Sequence, residues 1–327
     1  MLEQRVADLS PGQRVESRFL VVRKEVRQGG RAGVYLDCTL GDATGRVPAR
    51  VWENAAEISQ GFEQGDVVLA RGIAETYRGE LQLKLDSVRA VPAEEADATQ
   101  FLPRSRKDMA AVEARMAEVV KTVANPDLRG LLMGFFQEAE FRGRFFTAPG
   151  AKAIHHAYIG GLAEHTGEVV ELCLAVSAVF PQLDRDLLLT AAILHDIGKL
   201  EELSWSTSFD YTDRGTLLGH IVLGEEWVRR EAEKNPDFPE ELKLQLCHCL
   251  LSHHGTREFG SPVEPMMAEA IALHHAEDLD AKVNMFLTNI EAARGQGRRW
   301  TERHFLLGRS LYAGPTEEVT GSGEREG

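Results

Sequence analysis

The chain has 327 residues, 43% of them apolar and 27% charged, with 37 basic and 51 acidic side chains and a formal charge of −14. That balance excludes a disordered chain, and the length leaves room for two domains. The stretch MLEQRVADLS has no apolar signal-peptide core and no run of about 18 apolar residues follows, so no membrane association is expected.

Four cysteines (Cys38, Cys173, Cys247, Cys249) form neither a CxxC pair nor a disulfide framework, which points to a reducing cytoplasm. Spread evenly, −14 would argue against a nucleic-acid partner. It is not spread evenly. From Arg14 to Arg89 there are 12 basic and 11 acidic residues, leaving 25 and 40 for the remainder. All 11 histidines lie at or beyond His155.

In chain order, residues 12–92 read as short strands: RVESRFLVVRKEV, GVYLDCTLGD, GRVPARVWE, DVVLARGIAETY and ELQLKLDSVRAV, separated by the turn signals QGGRAG, GDATG, GFEQGD and YRGE. ENAAEISQGF reads as a short helix between the third and fourth strands. Five strands in this order are the pattern of an OB-fold, a small barrel that binds oligonucleotides; a purely structural barrel is the alternative. PAEEADATQ breaks the pattern, and 93–106 is expected to be a linker.

From 107 to 312 the period becomes helical. Met109, Val112, Met116, Val119, Val120 and Val123 mark one helix face, and Leu131–Phe146 reads as a second helix with an aromatic end. Helices continue through EHTGEVVELCLAVSAVF, DLLLTAAILHDIGKL, LLGHIVLGEEWVRREAEK, ELKLQLCHCLLSHH and PMMAEAIALHHAEDLDAKVNMFLTNI. The tail, 313–327, is small, polar and charged, and is expected to be disordered.

The helical half carries His165, His195-Asp196, His220, His253-His254 and Asp280. Imidazoles and carboxylates converging from several helices suit Mn²⁺, Fe²⁺, Co²⁺, Ni²⁺ or Zn²⁺. The adjacent His195-Asp196 follows the apolar run LLLTAAIL, where an ionisable pair costs desolvation unless a cation compensates. Asp196 has two oxygens with which to bridge two ions, the arrangement that drives displacement at phosphorus. Lys199, one turn later, is within reach of a phosphate oxygen or is an ordinary solvated lysine.

His165, His195-Asp196 and Asp280 match the H…HD…D pattern of the HD-domain phosphohydrolases, an all-helical superfamily. The longer strings HHAYIGGLAEHT (155–166), ILHDIGKLEEL (193–203), LLGHI (217–221), LSHHGTREFGSP (251–262) and LHHAEDLDAK (273–282) resemble the YhaM-type 3′→5′ exoribonucleases. The fold class expected is therefore a multidomain α and β protein, an N-terminal five-stranded OB-fold β-barrel followed by an all-α HD domain. The resemblance implies His165, His195, Asp196 and Asp280 at one metal, and His220, His253 and His254 at a second, with Asp196 shared and Mn²⁺ the leading cation. Glu277 and Phe259 depart from the family pattern, in an outer hydrogen bond and a packing contact.

The resemblance implies hydrolysis of single-stranded RNA, or also single-stranded DNA, to nucleoside 5′-monophosphates, with Asp196, His195 and Lys199 in the chemistry. His155 and His156 open the first family string, and His156 is a candidate for substrate contact. On the barrel, Tyr35, Trp52 and Tyr77 are candidate stacking platforms, with Lys24, Arg50, Arg78 and Lys84 as candidate phosphate contacts. His274 and His275 are candidates to orient a ligand, His248 reads as packing, and His304 has no supporting context. Two other readings stay open: a phosphodiesterase of small or cyclic dinucleotides, although the GYP string of that subgroup does not occur, and a non-catalytic RNA-binding protein. A homo-oligomer is also open.

Overall fold

The computed structural model describes residues 4–29, 33–152 and 156–315; His155, and the part of the expected disordered tail from residue 316 onward, lie outside them. The first strand, β1 (Arg14–Gly29), buries Val15, Ser17, Phe19 and Val21 at the two-residue period of a sheet with one wet face. It joins β2 (Gly33–Asp42), β3 (Gly45–Val51), β4 (Val67–Tyr77) and β5 (Glu80–Ala90) in a closed barrel of order β1-β2-β3-β5-β4. β3 and β5 run parallel and the other neighbours antiparallel. Closure gives every strand a neighbour on both sides over part of its length, and Phe19, Leu36, Leu40 and Leu83 fill the interior. The short helix α1 (Ala55–Ile58) lies between β3 and β4, where the sequence pattern put it. At Gly72 a Cβ would stand 2.1 Å from the Lys84 carbonyl, so the register shift between β4 and β5 needs glycine.

The remainder is helical: α2 (Met109–Lys121), α3 (Pro126–Gln137), α4 (Ala139–Phe145), α5 (Gly161–Val179), α6 (Arg185–Leu194), α7 (Lys199–Glu202), α8 (Asp213–Ala232), α9 (Glu240–Ser252) and α10 (Ala268–Gly295). Side-chain caps start four of them: Asp108, Asn125, Asp184 and Thr212 each accept from a backbone N–H of the first turn. α6 is the central element, buried at every position from Leu187 to Leu194. A helix apolar on all sides belongs inside a shell of other helices. No helix among the described residues is long and apolar enough to cross a membrane.

Three helices expected to be continuous are interrupted, DLLLTAAILHDIGKL among them, where α6 ends at Leu194 and α7 starts at Lys199. Leu131–Phe146 breaks at Glu138, whose extended backbone (ψ 115°) folds Phe141 back onto Phe135 and Phe136, with ring centroids 5.1 and 5.3 Å apart. α8 kinks at Gly219, where φ is 73°, just before His220. A two-stranded pair, Leu203–Ser204 with Asp210–Tyr211, was not foreseen.

Barrel and helices meet through Leu20, Val67, Leu102 and Ile159, with Phe101, Trp205 and Phe209 packed alongside. The connecting chain is hydrogen-bonded into the helical half. Ile159 N–H donates to the Pro103 carbonyl (2.8 Å), and Ser105 N–H donates to the Ile159 carbonyl (2.9 Å).

Candidate metal centre and nucleic-acid surface

Asp196 is the hub. α6 ends at Leu194 in the core, so the next two residues emerge at its C-terminus already buried: His195 is 0% exposed and Asp196 2%. Around the Asp196 carboxylate, Oδ2 lies 3.3 Å from His195 Nε2 and 3.5 Å from His165 Nε2. Oδ1 lies 3.4 Å from His220 Nε2 and 3.7 Å from His253 Nε2. His254 stacks edge-on against His253, centroids 4.4 Å apart, and groups with His220 and His253 as a set of possible donors. Helices α5, α6, α8 and α9 thus deliver one imidazole each to the two sides of one carboxylate.

The histidines are held by their other nitrogens. His195 and His253 each follow the last residue of a helix and donate Nδ1–H to the carbonyl three residues back, Ala192 (2.8 Å) and Leu250 (2.6 Å). Those carbonyls are among the unpaired acceptors every helix leaves at its C-terminus. His254 donates Nδ1–H to the Phe259 carbonyl (2.8 Å), and His220 Nδ1 sits 2.9 Å from Glu202 Oε1. Glu202 Oε1 also accepts the His220 backbone N–H at 3.0 Å. Burial favours the neutral Glu202 acid, but its bonds with His220 more than offset this and lower its pKa. With Nδ1 committed, each ring presents the Nε2 lone pair, the form a metal binds.

The donor set fits a cation. Asp196 Oδ1, His220 Nε2 and His253 Nε2 are buried without a hydrogen-bond partner, a cost of about 1–3 kcal/mol each if nothing compensates. Burial pushes the His253 pKa down to about 4 and, with the neighbouring His253 and His220, that of His254 to about 3; burial also holds His165 well below its ordinary value. These rings are therefore neutral at pH 7, as ligands must be. His195 shifts the other way: burial lowers its pKa, but the adjacent Asp196 carboxylate raises it by more.

Lys199 Nζ stands 2.6 Å from Asp196 Oδ2. Burial opposes its charge, but the Asp196 carboxylate prevails and keeps the ammonium protonated. Burial likewise opposes ionisation of Asp196, and Lys199 with His195 overcomes it.

Asp280 meets His165 on Nδ1 (2.6 Å), on the face away from Asp196. Burial and the nearby Glu168 carboxylate push the Asp280 pKa up. Asn284 donates to Asp280 Oδ1 (3.0 Å) and to Glu168 Oε2 (2.8 Å). His156 is 3% exposed and lies behind His165, rings 5.3 Å apart, with Nε2 3.3 Å from Glu168 Oε2. That position makes it a neighbour of a candidate ligand rather than a surface group facing substrate. Lys107 pairs with Glu168 and, at 3.4 Å, with Glu164; Ser105 donates to Glu164 at 2.5 Å.

Of the remaining histidines, His274 faces the His253 carbonyl at 2.9 Å, and His248 Nε2 accepts from Met266 N–H at 2.9 Å. Glu202, Glu168 and Asn284 escaped the sequence reading. Their one sequence signal is helical spacing: Glu168 three residues after His165, Asn284 four after Asp280.

On the barrel, strand register gathers the candidate strand-holding residues on one face. Tyr35 is paired with Arg27, Asp37 with Arg50, and Arg50 with Lys84. Trp52, 36% exposed, stacks on Tyr35 with centroids 4.8 Å apart and rings 22° from parallel. Arg50 and Arg78 lie over Tyr77 at 5.2 and 5.3 Å. Lys24 is a correction: its ammonium is tied to the Phe62 carbonyl (2.5 Å) and to Glu63 (2.9 Å), and it is not available to a phosphate.

Residues 162–282 match the HD domain family, and residues 20–91 match the OB-fold nucleic acid binding domain family. The molecule is therefore an OB-fold joined to an HD domain. A 3′-5′ exoribonuclease YhaM from Geobacillus sp. (strain WCH70) is 36% identical over 310 residues, 92% of each chain, and the present chain belongs to that family. Among solved structures, the second OB-fold domain of replication protein A from Methanococcus maripaludis aligns at 18% identity and TM-score 0.24, covering 28% of this chain and 96% of that one. An OB domain from Methanosarcina mazei aligns at 18% identity and TM-score 0.23, covering 27% of this chain and 83% of that one.

Proposed function

We propose that this chain is a divalent-metal-dependent 3′→5′ exoribonuclease that hydrolyses single-stranded RNA to nucleoside 5′-monophosphates in the cytoplasm. The observation that carries the reading is the convergence of four histidine rings on the two oxygens of one buried carboxylate, with His254 grouped beside His220 and His253. His165, His195 and Asp196 would hold one ion, with Asp280 bracing His165; His220, His253 and His254 would hold a second, with Asp196 shared. Mn²⁺ is the leading candidate on the family resemblance, and the imidazole and carboxylate donors without thiolate suit Fe²⁺, Co²⁺, Ni²⁺ or Zn²⁺ as well; such ions would supply an activated water and charge neutralisation at phosphorus. The 3′→5′ polarity is carried over from the YhaM relative.

What the chain's own residues do follows from their placement. Asp196 supplies a carboxylate that stays ionised at neutral pH. The Nδ1 bonds of His195, His220, His253 and His254 fix ring orientation before anything binds, so no side-chain ordering is left to the moment of reaction. Lys199 holds an ammonium within reach of a phosphate oxygen approaching Asp196. The Tyr35–Trp52 stack and Tyr77 offer flat surfaces to unpaired bases, with Arg50, Arg78 and Lys84 beside them for the backbone.

A 5′-labelled single-stranded RNA with a free or a blocked 3′ end, incubated with Mn²⁺, tests the reading. A ladder shortening from the free 3′ end is expected, and Asp196→Asn should abolish it. Internal cuts, or equal cleavage of the blocked strand, would refute the polarity; faster turnover of a cyclic dinucleotide would refute the substrate.

A further inference from the structure

Beyond α10 the acidic helical half turns basic. From Gln296 to Tyr312 there are four arginines against one glutamate, interleaved with Trp300, His304, Phe305 and Tyr312. The chain folds back on itself here, with Trp300 bridged to Tyr312 and His304 to Arg309.

The base of this hairpin is anchored: Leu311 and Ala313 are buried, Ala313 N–H donates to the Arg299 carbonyl (2.9 Å), and Arg294 Nε donates to the Ala313 carbonyl (2.5 Å). Its aromatic groups face outward. Trp300 is 55% exposed, Phe305 79% and Tyr312 48%. His304 stacks on Phe305, centroids 5.3 Å apart and rings 21° from parallel, and Arg299 lies over Tyr312 at 5.6 Å.

Arg298 pairs with Glu302 at 2.8 Å, whereas Arg299, Arg303 and Arg309 have no carboxylate at ion-pairing distance among the described residues. Exposed aromatic surface of this kind marks an interaction site. Arg303 Nε donates to the Gly308 carbonyl (2.8 Å), and an apolar protein partner would have to desolvate three guanidinium charges that no carboxylate balances. A single strand of nucleic acid satisfies both components, stacking bases on the rings and setting phosphates against the arginines.

We propose that residues 299–313 form a second contact for single-stranded RNA, separate from the barrel face. This rests on the reading of the chain as an enzyme of single-stranded RNA. The hairpin follows the helix that carries Asp280 and folds back along it: Arg309 lies over Phe286 at 6.0 Å, and six residues separate Phe286 from Asp280, about 9 Å of helix. Arg106, in the chain leaving the barrel, pairs with Glu291 at 2.9 Å, so the end of α10 also lies beside the barrel connection.

The test uses the full chain in a chelator and a fluorescent single-stranded oligouridine of about 20 nucleotides, read by anisotropy across a salt series. Arg299→Ala/Arg303→Ala/Arg309→Ala and Trp300→Ala/Phe305→Ala should each weaken binding about tenfold or more. The arginine set should also lower the slope of log affinity against log salt by about 2. Melting curves and elution volumes matching the parent show that the fold is kept. Parental affinity in both sets would overturn the inference, as would a changed elution volume, which marks a surface for self-association. Adding Mn²⁺ to the parent and the same RNA separates the two readings. Shortening from the 3′ end with variants that bind normally leaves the enzyme reading standing and removes the hairpin. Hairpin-dependent binding without shortening does the reverse.

Discussion

Gly198 sits between the HD pair and α8, and replacing it with alanine should disable one side of the metal centre without touching a ligand. Its backbone angles (φ −62°, ψ −17°) suit any residue, so the cost is purely steric. A Cβ there would stand 2.0 Å from the His220 carbonyl oxygen and 2.6 Å from the Gly224 nitrogen, both backbone atoms. Restoring ordinary contact moves the main chain at His220 by more than about 1 Å, and overpacking of this kind costs about 1–3 kcal/mol. At about 2–4 °C per kcal/mol, the melting point falls by several degrees. A misplacement of about 1 Å at a reacting centre costs about 100-fold in rate. Calorimetric titration with Mn²⁺ should show weakened loading, and RNA hydrolysis should fall in parallel. Gly224→Ala, whose Cβ meets its nearest atom at 3.2 Å, should cost less. Adding Gly198→Ala to His220→Ala should weaken Mn²⁺ loading no further, because both act on the same ligand. Normal loading and normal hydrolysis in Gly198→Ala would refute the idea that packing against the HD turn positions His220.

Trp52→Ala should remove about 1–3 kcal/mol of single-stranded RNA affinity by dismantling the stack with Tyr35, measured by anisotropy in a chelator; parental affinity would remove this face from consideration. Burial pushes the thiols up, Cys38 to about 11 and Cys173, Cys247 and Cys249 to about 12, so the folded protein at pH 8 should resist a thiol reagent until it is unfolded. Fast labelling of the native protein would contradict that. Burial, aided by Asp196, raises Glu277 to about 7. A carboxyl raised on folding stabilises the fold below pH 4.5, its ordinary value, and that contribution is lost as pH rises through 7. The buried neutral histidines His165, His253 and His254 act in the opposite sense, so the test is the difference between two proteins. In a chelator the parent's melting point should lose ground to that of Glu277→Gln between pH 5 and 7.5, and a constant difference would refute the assignment.

The residues around Asp196 were legible before any coordinates because metal chemistry restricts side-chain type, and because an ionisable pair directly after LLLTAAIL cannot be left uncompensated. The barrel was legible in its turn signals. The partners that hold the rings were not. Glu202 reads as one more acid in KLEEL, and only the return of α8 at Gly219 brings the His220 main chain onto its carboxylate. Periodicity places Leu131 and Phe146 on one apolar face but carries no sign that Glu138 will be extended. Lys24 looked like a phosphate contact because strand alternation does not report that a neighbouring loop carbonyl, that of Phe62, will capture the ammonium. His156 was read from its place in a motif; its burial behind His165 depends on how 156–160 folds under α5, with His156 itself at φ 52°.

Because residues 103–105 are paired in the main chain with Ile159, the last stretch of the connection belongs physically to the helices and not to the barrel. A fragment begun at Met109 would strip Glu164 and Glu168 of the Lys107 ammonium and the Ser105 hydroxyl, leaving two carboxylates beside His156 without the lysine's charge. A graft that exchanges one barrel for another has to be joined upstream of Phe101, within the turns at 93–100. For this chain the unit of modular exchange is the helical half together with its own leading strap.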